Sequence, residues 1–492
     1  HDCDGAIARE LRTFVPVGEG EEPVHARPDA VALEQARELG LREGFPLGRA
    51  LHLDELARAG HDQVHVGLGP VVLGVVEVAQ RLAVQQPDRD GAELRALQVV
   101  ARGALAIHGG RIVAVGAEPE LTRRFHAVRV LDARGGTLVP GFVDAHTHPV
   151  FAGTREEEFE LRTRGQTYLE IAQAGGGILS SVRGVRAATR EHLLELLLLR
   201  LERFLALGTT TLEAKSGYGL TLEDELKCLE VIAEANRRQV VECVPTFLGA
   251  HDVPAEYRGR RAAYVELVCE EMLPRVAERG LARYCDAFTE AHTFDLADTR
   301  RLFARARELG LGLRMHADQL TDLGGAELAA ELGAASADHL EHVSPRGIEA
   351  LARAGVVPVL CPVVPLFLRQ EREAPARRMI EAGLAPALST DFNPGSCYLQ
   401  SLPEALAWGA LRYRMSAAEC LTAGTLNAAC SLGRGHELGS LEPGKRADVV
   451  VLDHPNHKHL VYELGRNAVR AVIARGRVVV ENGSPERGRR DA

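Results

Sequence analysis

The chain has 492 residues, of which 46% are hydrophobic and 26% charged, a balance typical of a globular protein with a core and a solvated surface. Its formal net charge of −10 offers no positive field to a nucleic-acid backbone, and no apolar run is long enough to span a bilayer. We therefore expect neither nucleic acid nor membrane as a partner, and nine scattered cysteines without a C-x-x-C pair indicate a reducing, cytoplasmic compartment.

Segments at both ends of the chain predict one small β-sandwich domain. Residues 1–94 carry no chemical motif and are treated as an extension of unknown structure, although 71–84 is apolar enough for a strand or a short helix. Alternating apolar residues and Gly-containing turns then predict short strands near both ends. These strands are 104–107, 111–115, 128–132, 447–452, 469–474 and 477–480. We assign residues 95–138 and 441–492 to the sandwich domain, the latter with a C-terminal tail.

The chain between these ends alternates predicted strands and helices. Eight units of a strand followed by a helix favour a closed parallel (β/α)₈ barrel, of the TIM type, over an open sheet, and we assign 139–440 to it. The predicted strands are 140–148, 209–215, 240–251, 282–290, 311–319, 336–343, 356–362 and 385–393. The helical patterns include 191–207, 222–236 and 298–309.

Polar side chains recur where these apolar strands end. In a barrel of this type the chemistry lies at the carboxyl ends of the strands. One such residue alone is usually a hydrogen-bonded structural group, but their recurrence on most strands indicates an active site. The residues are His146, His148, Lys215, His251, Glu290, His316, His339 and Asp391.

His146 and His148 are the strongest local signal for a metal. Side chains two residues apart on a strand point to the same side, so both imidazoles are expected in the barrel mouth and can bind one ion. His316 and Asp391 complete a set of three nitrogens and one carboxylate, which suits Zn²⁺ and is compatible with Fe²⁺. The alternative is two histidines in a polar turn.

The motif around these residues resembles a known superfamily. Val-Pro-Gly-Phe-Val-Asp-Ala-His-Thr-His at 139–148 is similar to the opening signature of the amidohydrolases. Further blocks at 148–155, 168–177, 213–219, 247–251, 316–319, 338–342 and 389–396 resemble the imidazolonepropionase family in particular. Lys-Ser-Gly-Tyr-Gly at 215–219 and Asp-Phe-Asn-Pro-Gly-Ser at 391–396 are the most specific of them, and the resemblance covers about 104–483.

The resemblance implies hydrolysis of the cyclic amide of 4-imidazolone-5-propanoate to N-formimidoyl-L-glutamate in histidine degradation, and it implies a homodimer. It implies one metal ion, Zn²⁺ or Fe²⁺/Fe³⁺, with His146, His148, His316 and Asp391 as ligands. Asp391 would also orient the attacking water, and His339 would transfer a proton. The implied substrate-binding residues are Arg155, Tyr218, His251, Gln319, Asn393, Gly395 and Ser396.

Several of these residues have alternative interpretations. Arg155 could hold the propanoate carboxylate or form an ion pair on the rim, and Tyr218 could be an ordinary core tyrosine. Gln319 is counted with the catalytic residues, and because an amide cannot shuttle a proton it argues against a ring deaminase. Gly395 and Ser396 are expected to expose backbone N–H groups to a ligand.

Alternatives also remain for the whole chain. Lys215 could be carboxylated and bridge a second ion, although we favour one ion. Cys-Pro-Val-Val-Pro at 361–365 departs from the family pattern and puts the pocket wall in question. Another cyclic amidohydrolase of the hydantoinase or dihydroorotase type, or a non-catalytic barrel scaffold, would fit the same barrel.

Overall fold

A computed structural model describes residues 76–80, 97–481 and 484–485, and for residues 76–80, 168, 169, 484 and 485 it describes the backbone alone. The predicted extension therefore lies outside the described residues except for 76–80. In chain order the strands are β1 Val76–Gln80, β2 Gln98–His108, β3 Arg111–Ala117, β4 Thr137–Pro140, β5 Phe142–Asp144, β6 Thr209–Lys215, β7 Glu242–Ala250, β8 Tyr284–Thr289, β9 Gly312–Ala317, β10 Ser336–His339, β11 Val357–Leu360, β12 Ala387–Leu388, β13 Val449–Leu452, β14 Val469–Ala474, β15 Arg477–Glu481 and β16 Ser484–Pro485.

Helices cover the strands, and within the described residues they include two π-helical turns, Val268–Met272 and Ala423–Asn427, and one 3₁₀ turn, Ala255–Tyr257. The α-helices are α1 Glu118–Arg124, α2 Glu156–Thr163, α3 Tyr168–Gln173, α4 Ile178–Ala187, α5 Arg190–Ala206, α6 Leu222–Arg238, α7 Arg261–Leu267, α8 Leu273–Glu278, α9 Leu296–Glu308, α10 Gly325–Leu332, α11 Pro345–Ala354, α12 Val364–Leu368, α13 Ala376–Glu381, α14 Leu402–Tyr413, α15 Ala417–Thr422, α16 Ala428–Ser431 and α17 His459–Tyr462. No helix within the described ranges is both long and apolar enough to cross a bilayer.

Strands β5 to β12 form a parallel sheet in which each strand pairs with the next one in sequence. The sheet curls until its two edges meet, where Thr147 and Phe392 form a parallel bridge and the His148 N–H donates to the Phe392 carbonyl at 2.9 Å. Asp144 strengthens this closure by accepting hydrogen bonds from the Ser389 hydroxyl and the Thr390 N–H. The predicted (β/α)₈ barrel is thereby confirmed.

The barrel strands are buried on both faces, as the sequence of β6 illustrates. All seven of its residues are buried, because helices cover the outer face and other strands fill the inner one. The neighbouring α5 is capped by Thr189, whose side chain accepts a hydrogen bond from the His192 N–H at 3.2 Å. The apolar residues of α5 pack on the barrel. Because the strands are parallel, their carboxyl ends lie together at one open mouth.

The remaining strands form a small sheet that joins both ends of the chain. Its order is β16-β15-β14-β13-β4-β1-β2-β3, and the central pair β4 and β13 comes from segments more than 300 residues apart. The sheet includes β1, so part of the apolar segment 71–84 forms a strand, paired with β2. The domain boundaries at 138/139 and 440/441 stay a prediction.

One predicted strand is absent and another is divided. The stretch 128–132 has no regular structure, and Val128 and Val130 are 76% and 60% exposed because no neighbouring strand covers them. The predicted strand 140–148 is divided at Gly141, where the chain passes from the small sheet into the barrel. A Cβ at Gly141 would be 2.4 Å from the Thr210 hydroxyl, so a side chain there would block this passage.

Candidate metal centre and active-site cavity

The predicted polar residues lie at the carboxyl ends of the barrel strands. His146 and His148 follow β5, His316 lies in β9, His339 ends β10 and Asp391 follows β12. His339 and Asp391 have backbone φ angles of 76° and 48°, in the left-handed region that costs a non-glycine residue on the order of 1 kcal/mol. The turn at each position directs its side chain into the barrel mouth.

Three imidazoles and one carboxylate converge there. The Nε2 atoms of His146 and His148 are 3.2 Å apart, and the Nε2 of His316 is 3.3 Å from that of His148. Asp391 Oδ1 is 3.4 Å from the Nε2 of both His146 and His148. Two ligands about 2.0–2.1 Å from one tetrahedral ion are about 3.3–3.4 Å apart, so each of these four contacts has the spacing of two ligands of one ion.

Carboxylates behind the imidazoles determine which ring nitrogen faces the mouth. His146 Nδ1 donates to Asp338 Oδ2 at 2.7 Å, and His316 Nδ1 donates to Asp286 Oδ1 at 3.1 Å. An imidazole that donates its proton from Nδ1 keeps a lone pair on Nε2, and metal-binding histidines are commonly held in this way. The two Nε2 atoms are therefore prepared to bind a cation.

The protonation of the cluster also suits a cation. Burial, together with the charges of neighbouring imidazoles and Lys215, lowers the pKa of His146 and His148 well below the ordinary value, so both rings are neutral. Burial raises the pKa of Asp391, whose Oδ1 has no hydrogen-bond partner among the described residues. An unpartnered buried carboxylate oxygen is costly, and a cation between the four atoms would satisfy it.

Lys215 lies beneath the histidines and is surrounded by acidic side chains. Its Nζ is 2.8 Å from Glu213 and 2.7 Å from Asp286 Oδ2. Burial alone would lower the pKa of Lys215, but Asp286, Glu213 and Asp338 outweigh this effect and raise it. Because carboxylation requires a neutral amine, this ammonium favours one ion over a metal-bridging carboxylated lysine.

The cluster opens into a cavity at the barrel mouth. His251 forms part of its wall, with its ring stacked on His148 at 5.0 Å between centroids and 17° between planes. The Nδ1 of His251 donates to the Gly217 carbonyl at 2.9 Å. The predicted site residues that line the cavity are His148, Arg155, Tyr218, His251, His316, Gln319, His339, Asp391, Asn393 and Ser396.

Arg155 is buried at the cavity wall and packed against Gly395. An ideal Cβ built on Gly395 would be 1.9 Å from Arg155 Nη1, so only glycine leaves room for the guanidinium. Glu158 accepts hydrogen bonds from Arg155 Nε at 2.9 Å and Nη2 at 2.6 Å. The ion pair and the cavity position, which the sequence left as alternatives, therefore occur together.

Backbone N–H groups of the turn 393–396 form hydrogen bonds within the turn and do not face the cavity. Asn393 Oδ1 accepts hydrogen bonds from the N–H groups of Gly395 at 2.8 Å and Ser396 at 2.7 Å. The prediction that these N–H groups face a ligand is therefore wrong, because the local Asx turn is their acceptor. Asn393 Nδ2 donates to the Asp391 carbonyl and the Ser396 hydroxyl, so its amide also holds the turn in shape.

Sequence reasoning missed the buried charges behind the cluster. Asp286 and Asp338 orient imidazoles, and Glu213 and Arg314 surround Lys215, yet none was singled out. Charged residues within otherwise apolar strands were the available signal. Glu341 was missed as well, although its Oε1 is 3.8 Å from His339 Nδ1. Neither of its carboxylate oxygens has a hydrogen-bond partner within the described part of the chain.

Glu290 has a structural role, and a second histidine group is assigned no metal. Glu290 accepts hydrogen bonds from the Leu320 N–H and the Thr321 hydroxyl, so it anchors the loop that carries Gln319. His454, His459 and Glu463 lie close enough to share an ion. Arg466 donates to both carboxylate oxygens of Glu463, so we assign no metal to this second group.

Comparison with known proteins places the chain among hydrolases. The model of the amidohydrolase family matches residues 137–479. The imidazolonepropionase of Symbiobacterium thermophilum is 50% identical over 422 residues, which are 85% of this chain and 99% of that protein. The imidazolonepropionase of Solibacter usitatus is 49% identical over 392 residues, covering 80% and 94% of the two chains.

Solved structures show the same fold at low sequence identity. A zinc-bound adenosine deaminase from Xanthomonas campestris has a TM-score of 0.63 and 21% identity, covering 86% of this chain and 95% of that one. The guanine deaminase of E. coli has a TM-score of 0.63 and 18% identity, covering 84% and 99%.

Proposed function

Because the chain belongs to the amidohydrolase family and, within it, to the imidazolonepropionases, we propose that this cavity is where 4-imidazolone-5-propanoate is hydrolysed to N-formimidoyl-L-glutamate. The enzyme is a hydrolase of cyclic amides in histidine degradation. The observation that carries the assignment of the site is the set of four contacts of 3.2–3.4 Å that links three histidine Nε2 atoms and one aspartate oxygen.

We assign one metal ion, Zn²⁺ or Fe²⁺/Fe³⁺, to His146, His148, His316 and Asp391. When bound, such an ion polarises the carbonyl oxygen of the amide and lowers the pKa of a water to about 7. Neutral imidazoles and an unpartnered Asp391 Oδ1 support this assignment.

In this proposal Asp391 orients the attacking water and His339 transfers its proton. A ring nitrogen of His339 and a carboxylate oxygen of Asp391 lie within 4.8 Å of each other, beside His146. Asp391 accepts the hydrogen bond of the attacking water and orients it towards the carbonyl carbon. His339 accepts the proton and delivers it to the leaving ring nitrogen, and Glu341 beside its Nδ1 favours the protonated imidazole.

The cavity wall orients the substrate. Arg155 faces the propanoate carboxylate with its orientation fixed by Glu158, and Tyr218 adds a hydrogen bond. His251, Gln319 and Ser396 offer polar contacts to the ring. Asn393 and Gly395 contribute indirectly. The Asn393 side chain accepts a hydrogen bond that holds the turn in shape, and Gly395 leaves room for the Arg155 guanidinium.

Two other functions were open from the sequence. A non-catalytic scaffold does not require four converging ligand atoms and a cavity beside them. A hydantoinase or dihydroorotase activity differs in the ring that is opened, and relatives at 45–50% identity are named imidazolonepropionase. A homodimer and a cytoplasmic location stay predictions, and sedimentation analysis tests the first.

The test is an assay of the metal-loaded enzyme that follows the loss of ultraviolet absorbance of imidazolone propanoate. We expect turnover by the native chain and a 10²- to 10⁴-fold lower kcat for His339→Gln, with metal content unchanged. His192→Gln, on the exposed surface of α5, is the matched control and should retain full activity. Hydrolysis of hydantoin or dihydroorotate in place of imidazolone propanoate would contradict the proposal.

A further inference from the structure

We propose that Lys215 is a positioning residue that sets the metal affinity of the site through Asp286 and Asp338. The inference rests on the metal site proposed above and extends it to a side chain that contacts no metal ligand directly. It concerns how the histidines are held, and its test is metal binding.

One ammonium group faces both carboxylates that orient the metal-binding histidines. Lys215 Nζ lies 2.7 Å from Asp286 Oδ2 and 3.6 Å from Asp338 Oδ2. The same Oδ2 atoms contact His316 Nδ1 at 3.0 Å and His146 Nδ1 at 2.7 Å. Two chains of contacts therefore run from Nζ, each through one oxygen, to two imidazoles whose Nε2 atoms face the mouth.

The network is buried and its members are tightly held. The side chains of Lys215, Glu213, Asp286, Asp338 and Arg314 are all 0% exposed. Glu213 also accepts a hydrogen bond from the Thr246 hydroxyl at 2.6 Å, and Arg314 donates hydrogen bonds to the Ser431 and Ala145 carbonyls at 2.8 Å. Water cannot replace a lost charge in such a network.

The balance of these buried charges explains why loss of Lys215 would disturb the metal site. Beneath the histidines only two cations face three buried carboxylates, so losing either cation leaves a further carboxylate without a counter-charge. Arg314 Nη2 is 3.5 Å from Asp338 and compensates it in part, whereas Lys215 is the cation hydrogen-bonded to Asp286. Without Lys215, Asp286 would be a buried carboxylate without its counter-charge and would leave its present position.

The experiment measures the affinity of the full chain for Zn²⁺ by competition with a chromophoric chelator. We expect Lys215→Met to weaken Zn²⁺ binding 10- to 100-fold, the loss typical when the partner of a metal-binding histidine is disturbed. Lys445→Met is the matched control, since Lys445 is also buried and donates to the Gly435 carbonyl at 2.7 Å and the Ser440 hydroxyl at 2.6 Å, outside this network. It should bind Zn²⁺ as the native chain does.

A double variant tests the route through the carboxylate. Because Lys215 and Asp286 belong to one chain of contacts, Lys215→Met with Asp286→Asn should weaken Zn²⁺ binding by less than the product of the two single losses. Should Lys215→Met fail to fold, Asp286→Asn interrupts the same chain of contacts and should itself weaken Zn²⁺ binding 10- to 100-fold.

The outcomes separate this inference from the proposed function. Failure of the native chain to bind Zn²⁺ would overturn the metal site itself. Tight binding of one equivalent by the native chain, with Lys215→Met or Asp286→Asn within twofold of it, would overturn only the role of Lys215. Two equivalents in the native chain and one in Lys215→Met, with dependence on bicarbonate, would instead identify a carboxylated bridging lysine.

Discussion

Because Gly395 has no side chain, the guanidinium of Arg155 can pack directly against it. Gly395→Ala would place a methyl group 1.9 Å from the present position of Arg155 Nη1, so Arg155 must move. A displacement of about 1 Å in a substrate-holding group can cost up to about 10²-fold, and we expect kcat/KM to fall 10- to 100-fold, mainly through KM. Steady-state kinetics on imidazolone propanoate measure this change.

The matched control is Gly116→Ala in β3. A Cβ at Gly116 has its nearest neighbour at 3.8 Å, an ordinary contact, so kinetics should be unchanged. Equal KM values in Gly395→Ala and the native chain would mean that Arg155 does not hold the substrate.

Single residues were predictable where one local rule applied. The alternation of side chains on a strand was enough to bring His146 and His148 to one side, and both imidazoles meet at the mouth. Asp286 and Asp338 were not predicted, because their partners are His316 and His146, 30 and 192 residues away in the chain. Contacts of that kind follow from the closed barrel and not from local pattern.

Among the elements, α5 shows how burial alone separates two similar leucines. Leu197 is fully buried against the barrel, whereas Leu199 on the same helix is 54% exposed. We expect Leu197→Ala to lower the free energy of unfolding by about 2–5 kcal/mol through lost burial and a cavity. Leu199→Ala should change it by less than about 0.5 kcal/mol. Denaturant titration measures both, and equal losses would contradict the position of this helix.

The limits of a strand were predicted well where a turn lies at each end of it. They were predicted poorly where hydrogen bonds from side chains to a distant residue end the strand. Strand β6 has the predicted limits 209–215, between the turn after α5 and a Ser-Gly pair. Strand β12 keeps only Ala387–Leu388 of the predicted 385–393. From Ser389 onwards the chain turns to bond Asp144 with the Ser389 and Thr390 side chains, an interaction with the far edge of the barrel.

At the scale of the molecule, Glu242 connects the barrel to the small sheet. It begins β7 and accepts hydrogen bonds from Arg434 and from Arg446, which lies three residues before β13. Burial alone would raise the pKa of Glu242, but these two arginines outweigh it and lower the pKa to about 2.

This shift makes the connection dependent on pH. A carboxyl group whose pKa is lower in the folded chain stabilises it above the unfolded pKa of about 4.5, and the effect is lost as pH falls towards 2. We expect Glu242→Gln to reduce the free energy of unfolding at pH 7 by at most about 3 kcal/mol, with the difference from the native chain narrowing below about pH 4.5. Denaturant titrations from about pH 7 to about pH 2.5 measure the difference.

Glu349→Gln serves as the control for this network. Glu349 is 67% exposed and 3.6 Å from Arg353, a surface pair that contributes little to stability. A difference between Glu242→Gln and the native chain that does not change with pH would contradict the ionic connection.

The overall architecture followed from the order of strands and helices, because eight repeated units leave a closed parallel barrel as the natural solution. The pairing of β4 with β13 was expected only in outline, since nothing local specifies which strands from the two ends become neighbours. The strand β1 paired with β2 could not be assigned, because an apolar stretch alone does not distinguish a strand from a short helix.

The most direct test of the metal centre is anomalous diffraction from a crystal of the metal-loaded enzyme. The account predicts one anomalous peak about 2.0–2.2 Å from Nε2 of His146, His148 and His316 and from Oδ1 of Asp391. A peak bonded to Lys215, or a metal-containing crystal with no peak among these four atoms, would contradict it.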